Sequence, residues 1–280
     1  MIRAKRLGIL ACAWAVSLAA APQAQARDWL DLRRAGPAAM LADARRGSAP
    51  QPWQAEYAVT LPADHPLVPL KGAGNSPIEL RLTVIRLPVA EAKAQDPLGG
   101  KVRAVPLGRW MVRFDSPPQL AGTGVVSDGS KLWLRLPGSK AELATPAKLA
   151  QVIPGLQVPL LLFALSDLVG EYDYELEGEF GDAGVIRCRP SYKASAGVAP
   201  GKLGVHKRWA SWTLMEVSDR DGKRLAHAEW LDLEDRGGVP VPSALRLRPT
   251  SGDQSSLTLT RRSVVIGAGV AKDVSAKLLR

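Results

Sequence analysis

Gly108-Arg109-Trp110-Met111-Val112-Arg113-Phe114-Asp115, followed shortly by Val125-Val126-Ser127-Asp128-Gly129-Ser130-Lys131-Leu132-Trp133-Leu134, decides the fold of this chain. In the first run Trp110, Val112 and Phe114 fall on one face and Arg109, Met111 and Arg113 on the other, the period of two that marks a strand. In the second, Asp128-Gly129 stands between apolar runs, where glycine accepts the positive φ of a tight turn and the chain is expected to double back as a hairpin.

The same alternation extends outward. Upstream, Ala55, Tyr57 and Val59 alternate with Gln54, Glu56 and Thr60, and a second strand is expected over 78–87. Loops rich in Pro, Gly or Ala fill 62–77 and 88–100. Downstream, strands are expected over 172–176, 185–188, 209–217, 225–233, 243–247 and 257–265. Asp221-Gly222, Gly237-Gly238 and Ser251-Gly252-Asp253 supply turns. Strands joined by tight turns make an antiparallel meander, and there is no alternation of strands with helices to suggest a parallel sheet.

Helices are few. One is expected over 29–46, broken by Gly36-Pro37. Thr145-Pro146 opens a short one, with Thr as cap and Pro in the first turn. Pro159 is expected to start a third over 160–168 that is apolar on nearly all sides, so it must be buried or cover something greasy. The class is therefore mainly β with a few helices (α+β). Such a meander can close into a barrel, pack as a sandwich, or curl round a helical lid, and the apolar helix favours the last.

The first residues read as an export signal. Arg3, Lys5 and Arg6 precede an apolar run over 7–21, and Ala24-Gln25-Ala26 offers the small residues at which such signals are cut. Cleavage after Ala26 would leave 27–280 as a single periplasmic domain. Cys12 would be discarded with the signal. Cys188 would then stand alone, so the fold must rest on apolar burial and not on a disulfide. The net charge of +10 becomes +7 once the three signal cations leave. The remaining cations are scattered in small groups such as Arg33-Arg34 and Lys207-Arg208, which is not the basic face with stacking aromatics that nucleic acid requires. Anionic lipid or an acidic protein suits such a surface better.

Three stretches carry a family resemblance. The first is Gly108-Arg109-Trp110 through Phe114-Asp115-Ser116-Pro117. The second is Val126-Ser127-Asp128-Gly129-Ser130-Lys131-Leu132-Trp133-Leu134 followed by Leu136-Pro137. The third is Lys207-Arg208-Trp209, then Asp221-Gly222-Lys223 and Pro240-Val241-Pro242. In this order they resemble the periplasmic lipoprotein carriers (LolA-like) and the outer-membrane lipoprotein-sorting group, over about residues 55–265. The resemblance implies a strongly curved antiparallel sheet, an incomplete barrel closed by helices on its concave side. It also implies acyl chains as ligand, no cofactor, an inner-membrane transporter as donor and an outer-membrane acceptor. The chain is longer and more basic than the simple carrier, and is expected to act as a monomer.

On that resemblance the concave, cargo-facing positions would be Trp110, Val112, Phe114, Leu132, Leu134, Trp212 and Leu214, with Leu161, Leu162 and Leu165 covering them from the lid. Alternation alone would equally suit a dry core. The lid is expected to be held by apolar, non-directional contacts. Trp133 and Trp209 are expected on outer faces, suited to a lipid interface or to packing.

Catalysis finds little support. His65, His206 and His227 have no metal-ligand spacing. Ser166-Asp167 reads as a helix terminus and not as part of a triad. Asp232, Glu234 and Asp235 read as a solvated turn and not a calcium loop. The expectation is a non-enzymatic carrier of lipid or lipoprotein acyl chains. A sensor or adaptor of the same fold is the alternative.

Overall fold

The computed structural model describes residues 29–62, 65, 77–89, 108–153, 156, 158–168, 172–190, 201–218, 221, 223–249 and 256–279. The expected export signal, most of the two loops over 62–77 and 88–100, and the turns at Gly222 and 251–253 lie outside the described residues.

Two helices come first, α1 (Trp29–Ala35) and α2 (Pro37–Gly47). Gly36 between them has φ 86, a left-handed conformation, and Pro37 then takes the first helical turn, where its missing N–H is not needed. α2 turns Met40, Leu41 and Ala44 into the core.

An antiparallel run follows: β1 (Trp53–Leu61), β2 (Ile78–Leu87), β3 (Arg109–Ser116), β4 (Gly124–Asp128), β5 (Leu132–Arg135) and β6 (Glu142–Leu143). A connection carries α3 (Pro146–Leu149), β7 (Val152–Ile153), β8 (Val158–Pro159), α4 (Leu161–Ala164) and a 3₁₀ turn over Leu165–Asp167. The second run is β9 (Tyr172–Phe180), β10 (Ala183–Pro190), β11 (Gly201–His206), β12 (Trp212–Ser218), β13 (Arg224–Asp235), β14 (Pro240–Pro249) and β15 (Leu257–Ile266). Short 3₁₀ turns at Gly267–Gly269 and Ala276–Leu279 close the chain.

β1 pairs with β15, so the two runs merge into one sheet of 13 strands in the order β6-β5-β4-β3-β2-β1-β15-β14-β13-β12-β11-β10-β9. The sheet does not close: β6 and β9 are its edges. The connection from β6 to β9 therefore has to travel from one edge to the other. It does so across the concave side and brings α3, α4 and the 3₁₀ turn with it. Register shifts at Glu56/Tyr57, Arg81/Leu82, Val185/Ile186 and Gly204/Val205 insert bulges, and bulges bend and twist a sheet. The result is the curved, incomplete barrel closed by helices that the sequence led us to expect.

The main core lies between the concave face, α2 and the crossing segment. A second, smaller core lies on the convex face, where Val270, Val274 and Leu279 of the tail cover Ile85, Leu87, Met111 and Val126. Among the described residues no helix is long and apolar enough to cross a membrane.

Three expectations need correction. The helix over 160–168 is shorter: Pro159 pairs with Val152 in a two-residue ribbon, the α-helix spans Leu161–Ala164, and the chain then tightens into the 3₁₀ turn. β11 was not expected, because Gly201 and Gly204 interrupt its pattern. A Cβ at Gly201 would fall 2.6 Å from the Leu165 side chain and 2.4 Å from the Glu216 carbonyl, so glycine is what lets the crossing segment lie against this strand. The strand expected over 209–217 begins only at Trp212. Trp209 sits in the turn before it, with the Arg208 guanidinium 4.5 Å from its ring.

Candidate functional site

The crossing segment is a plug. Leu160, Leu161, Leu162, Phe163, Ala164 and Leu165 are all at most 1 % exposed, so every side of this short piece meets protein. Trp110, Val112 and Phe114 of β3, Leu132 and Leu134 of β5, and Trp212 of β12 are all buried in the same main core as the plug. The structure thus brings together every expected site residue except Leu214. A bulge places Gly204 opposite Leu214 but Val205 opposite Trp212, leaving Thr213 as the extra residue. Past that point Met215 and Val217 point inward and Leu214 is half-buried, outside the core.

The plug is not held by apolar contacts alone, as the sequence had suggested. Asp167 at its end pairs with Arg45 of α2, Nε to Oδ1 at 3.1 Å, and both side chains are almost fully enclosed. Arg45 also donates to the Ser166 carbonyl. The Gly108 N–H donates to Asp167 Oδ1 at 3.0 Å and the Trp110 indole N–H donates to Oδ2. Tyr174 of β9 approaches the Leu165 and Leu168 carbonyls at 3.4 Å. Its phenol is pushed well up by burial. The reading of Ser166-Asp167 as a mere helix terminus missed this role, since the partner lies 122 positions away on another helix. An Asp inside an apolar run was the available signal.

A second buried cation lies deeper. The register sets Trp53, Arg86 and Trp110 side by side on β1, β2 and β3, and the Arg86 guanidinium lies 5.5 Å from the Trp110 ring centroid. Burial pushes Arg86 down to about 10, with Asp167 and then Tyr57 acting in the opposite direction. Beside it is a small cavity lined by Ser48, Trp53, Arg86, Ser211, Trp212, Trp230 and Pro242, holding about 10 Å³, room for about one water molecule.

The groups considered for chemistry have plainer roles. His227 lies on β13 beside Glu229 at 3.2 Å, and burial lowers its pKa. Burial pushes the Cys188 thiol far up, as expected of an inert core residue. Glu234 bonds Arg236 and Arg261, and Asp235 accepts from the Gly238 N–H at 2.6 Å, as in a solvated turn. Trp133 is half-buried against the convex core and donates to Asp128 at 3.2 Å. No group of three or more His, Cys, Asp or Glu side chains gathers among the described residues.

No family model matches the chain, and no curated protein matches it. Solved structures do. A LolA superfamily protein from Nitrosomonas europaea superposes with a TM-score of 0.51 at 15 % identity, over 88 % of this chain and 97 % of that one. An outer membrane lipoprotein-sorting protein domain from Vibrio parahaemolyticus gives 0.51 at 16 % identity, over 85 % and 95 %. A DUF1329 family protein from Desulfovibrio piger gives 0.51 at 14 % identity, over 84 % and 93 %. At such identities the likeness is one of architecture: the chain has the LolA-like fold, an open antiparallel sheet wrapped round helices on its concave side.

Proposed function

We propose that the protein is a non-enzymatic periplasmic carrier. It would take the acyl chains of a lipoprotein or lipid against the concave face and pass them towards the outer membrane. The observation that carries this reading is the plug. Its residues from Leu160 to Leu165 are apolar throughout, yet they belong to a connection and not to the sheet they cover. An acyl chain loses ~0.8 kcal/mol per methylene left in water. Exchanging it for the plug replaces one apolar surface by another, so loading and release can stay near balance. Trp110, Val112, Phe114, Leu132, Leu134 and Trp212 would line the groove. Leu161, Leu162 and Leu165 would leave it, and Leu214 would stay at its rim. The likeness to a lipoprotein-sorting domain supports the same reading.

The complete burial of the plug side chains favours a second reading, an envelope lipid sensor or adaptor that works through its outer surface. Two measurements separate them. Lipid extraction and native mass spectrometry of periplasmic protein should find a co-purifying acylated molecule, and a fluorescent acyl probe should move between vesicles in its presence. Absence of both, with a stable protein partner recovered instead, would sink the carrier. The mass of the exported chain also tests cleavage after Ala26.

A further inference from the structure

The interior carries a charge that no carboxylate touches among the described residues. Among the described residues the buried cations are Arg45 and Arg86, and the buried carboxylates are Asp43 and Asp167. Asp43 pairs with Arg46 at the surface of α2, and Asp167 is held by Arg45, the Gly108 N–H and the Trp110 indole. Arg86 is 7 % exposed and touches the face of Trp110; the Asp167 carboxylate acts on it from a distance, but among the described residues it makes no direct ion pair or hydrogen bond. A buried charge without an ion-pair partner is costly to keep.

The cavity beside Arg86 has unmet donors as well. Trp53 gives its indole N–H to the Ser48 carbonyl at 2.7 Å, and Tyr57 gives its hydroxyl to the Pro242 carbonyl at 3.1 Å. Trp212 and Trp230, which also line the cavity, are buried and their indole N–H groups have no acceptor. The Ser48 and Ser211 hydroxyls that line it are neutral and lie 3.3 Å from each other, so a guanidinium and two unmet indole N–H groups surround an oxygen-sized space with no anion among its lining residues. Water could accept from an indole, but it would leave the cation uncompensated. An oxyanion meets both needs.

We propose that this cavity receives an oxygen of an anionic head, a carboxylate or phosphate, with Arg86 as its counter-ion and the Trp212 and Trp230 N–H groups as donors. On the carrier reading, on which only the tail of the ligand rests, the cargo is an acidic amphiphile. Its head lies among the tryptophans and its chain runs along the concave face towards Phe114 and Leu134. Selectivity would come from the head, since the apolar wall cannot tell one acyl chain from another.

The test is calorimetry and tryptophan fluorescence on the full exported chain with dodecanoate, methyl dodecanoate, acetate and inorganic phosphate, for the wild type, Arg86→Met and Trp230→Phe. A hydrogen bond to a charged group is worth 1.5–3 kcal/mol, so dodecanoate should bind at least about tenfold more tightly than its ester. Arg86→Met should abolish that preference and Trp230→Phe should reduce it. Equal binding of acid and ester by the wild type, or a preference that survives Arg86→Met, overturns the head site and leaves the acyl reading standing. Arg86-dependent binding of acetate or phosphate with neither long-chain probe bound keeps the site and overturns the acyl reading. No binding by any probe overturns both. Should Arg86→Met fail to fold, Trp230→Phe decides: an unchanged preference counts against the site.

Discussion

Both faces of the sheet are covered, but by covers of different kinds. Over the concave face the β6–β9 connection lays an apolar plug whose end is fastened by an enclosed Arg45–Asp167 pair. Over the convex face the tail buries Val270, Val274 and Leu279, and is fastened by arginines at its margin. Arg113 donates to the Leu278 carbonyl at 2.7 Å and Arg109 pairs with Asp273 at 3.1 Å. A polar contact sealed from water is strong in isolation, but breaking one side of it is costly, whereas one at a wet margin exchanges with solvent. The concave cover should therefore behave as a latch with two states and the convex cover as a graded seam.

The sharpest way to break that contrast is to remove one member of the latch. Arg45→Met or Asp167→Asn alone should cost about 3–5 kcal/mol in urea unfolding, since each leaves a buried charge or its donors unpaired. Arg45→Met combined with Asp167→Leu should recover much of that loss. Additive losses would show that the two groups do not act as a pair. On the carrier reading, the single variants should also load an acyl probe faster.

Next in size is the packing of each cover. Leu162→Ala in the plug should cost about 2–5 kcal/mol, because the surrounding sheet cannot close on the space. Leu279→Ala, in the smaller convex core, should fall at about the lower limit of that range, since fewer buried neighbours surround the space. Equal losses would mean that the tail is as firmly seated as the plug. Smaller again is the seam: Arg113→Ala should cost about 1 kcal/mol, as expected for one hydrogen bond at a half-exposed margin.

The sequence made part of this contrast legible. Alternation at Trp110, Val112 and Phe114, the Asp128-Gly129 turn, the Gly36-Pro37 break and the Thr145 cap are local signals, and each fell where local chemistry put it. What stayed hidden depends on contacts far along the chain. Asp167 gains its meaning from Arg45, and Arg86 from tryptophans on β1, β3, β12 and β13, none of which a periodicity can bring together. Leu214 was misplaced because a single bulge reverses the inward and outward sides of everything after it. β11 escaped because its glycines are there for the plug that lies against it and not for the strand itself.

The smallest effect lies at the edge of the sheet, on β9, which pairs with β10 alone. There Glu177 accepts from Arg187 at 2.9 Å and from Lys202 at 3.0 Å, tying β9, β10 and β11 across the sheet. The Arg187 hydrogen bond, then that of Lys202, holds the Glu177 carboxyl below its ordinary value. The unfolded chain therefore takes up its proton first as pH falls. The stabilisation is complete above the ordinary glutamate value, ~4.3, and is lost as pH drops through the lowered folded value. Because the partners Arg187 and Lys202 are themselves part-exposed, Glu177→Gln should lose less than about 1 kcal/mol at neutral pH. That difference should shrink towards nothing in acid, and amide exchange on β9 should rise before the sheet as a whole opens. A loss that persists unchanged below the titration would assign Glu177 to packing and not to charge. The distinction matters for an edge strand: charges along it are what keeps a second sheet from pairing there, so acid should expose β9 to self-association before it loosens the plug.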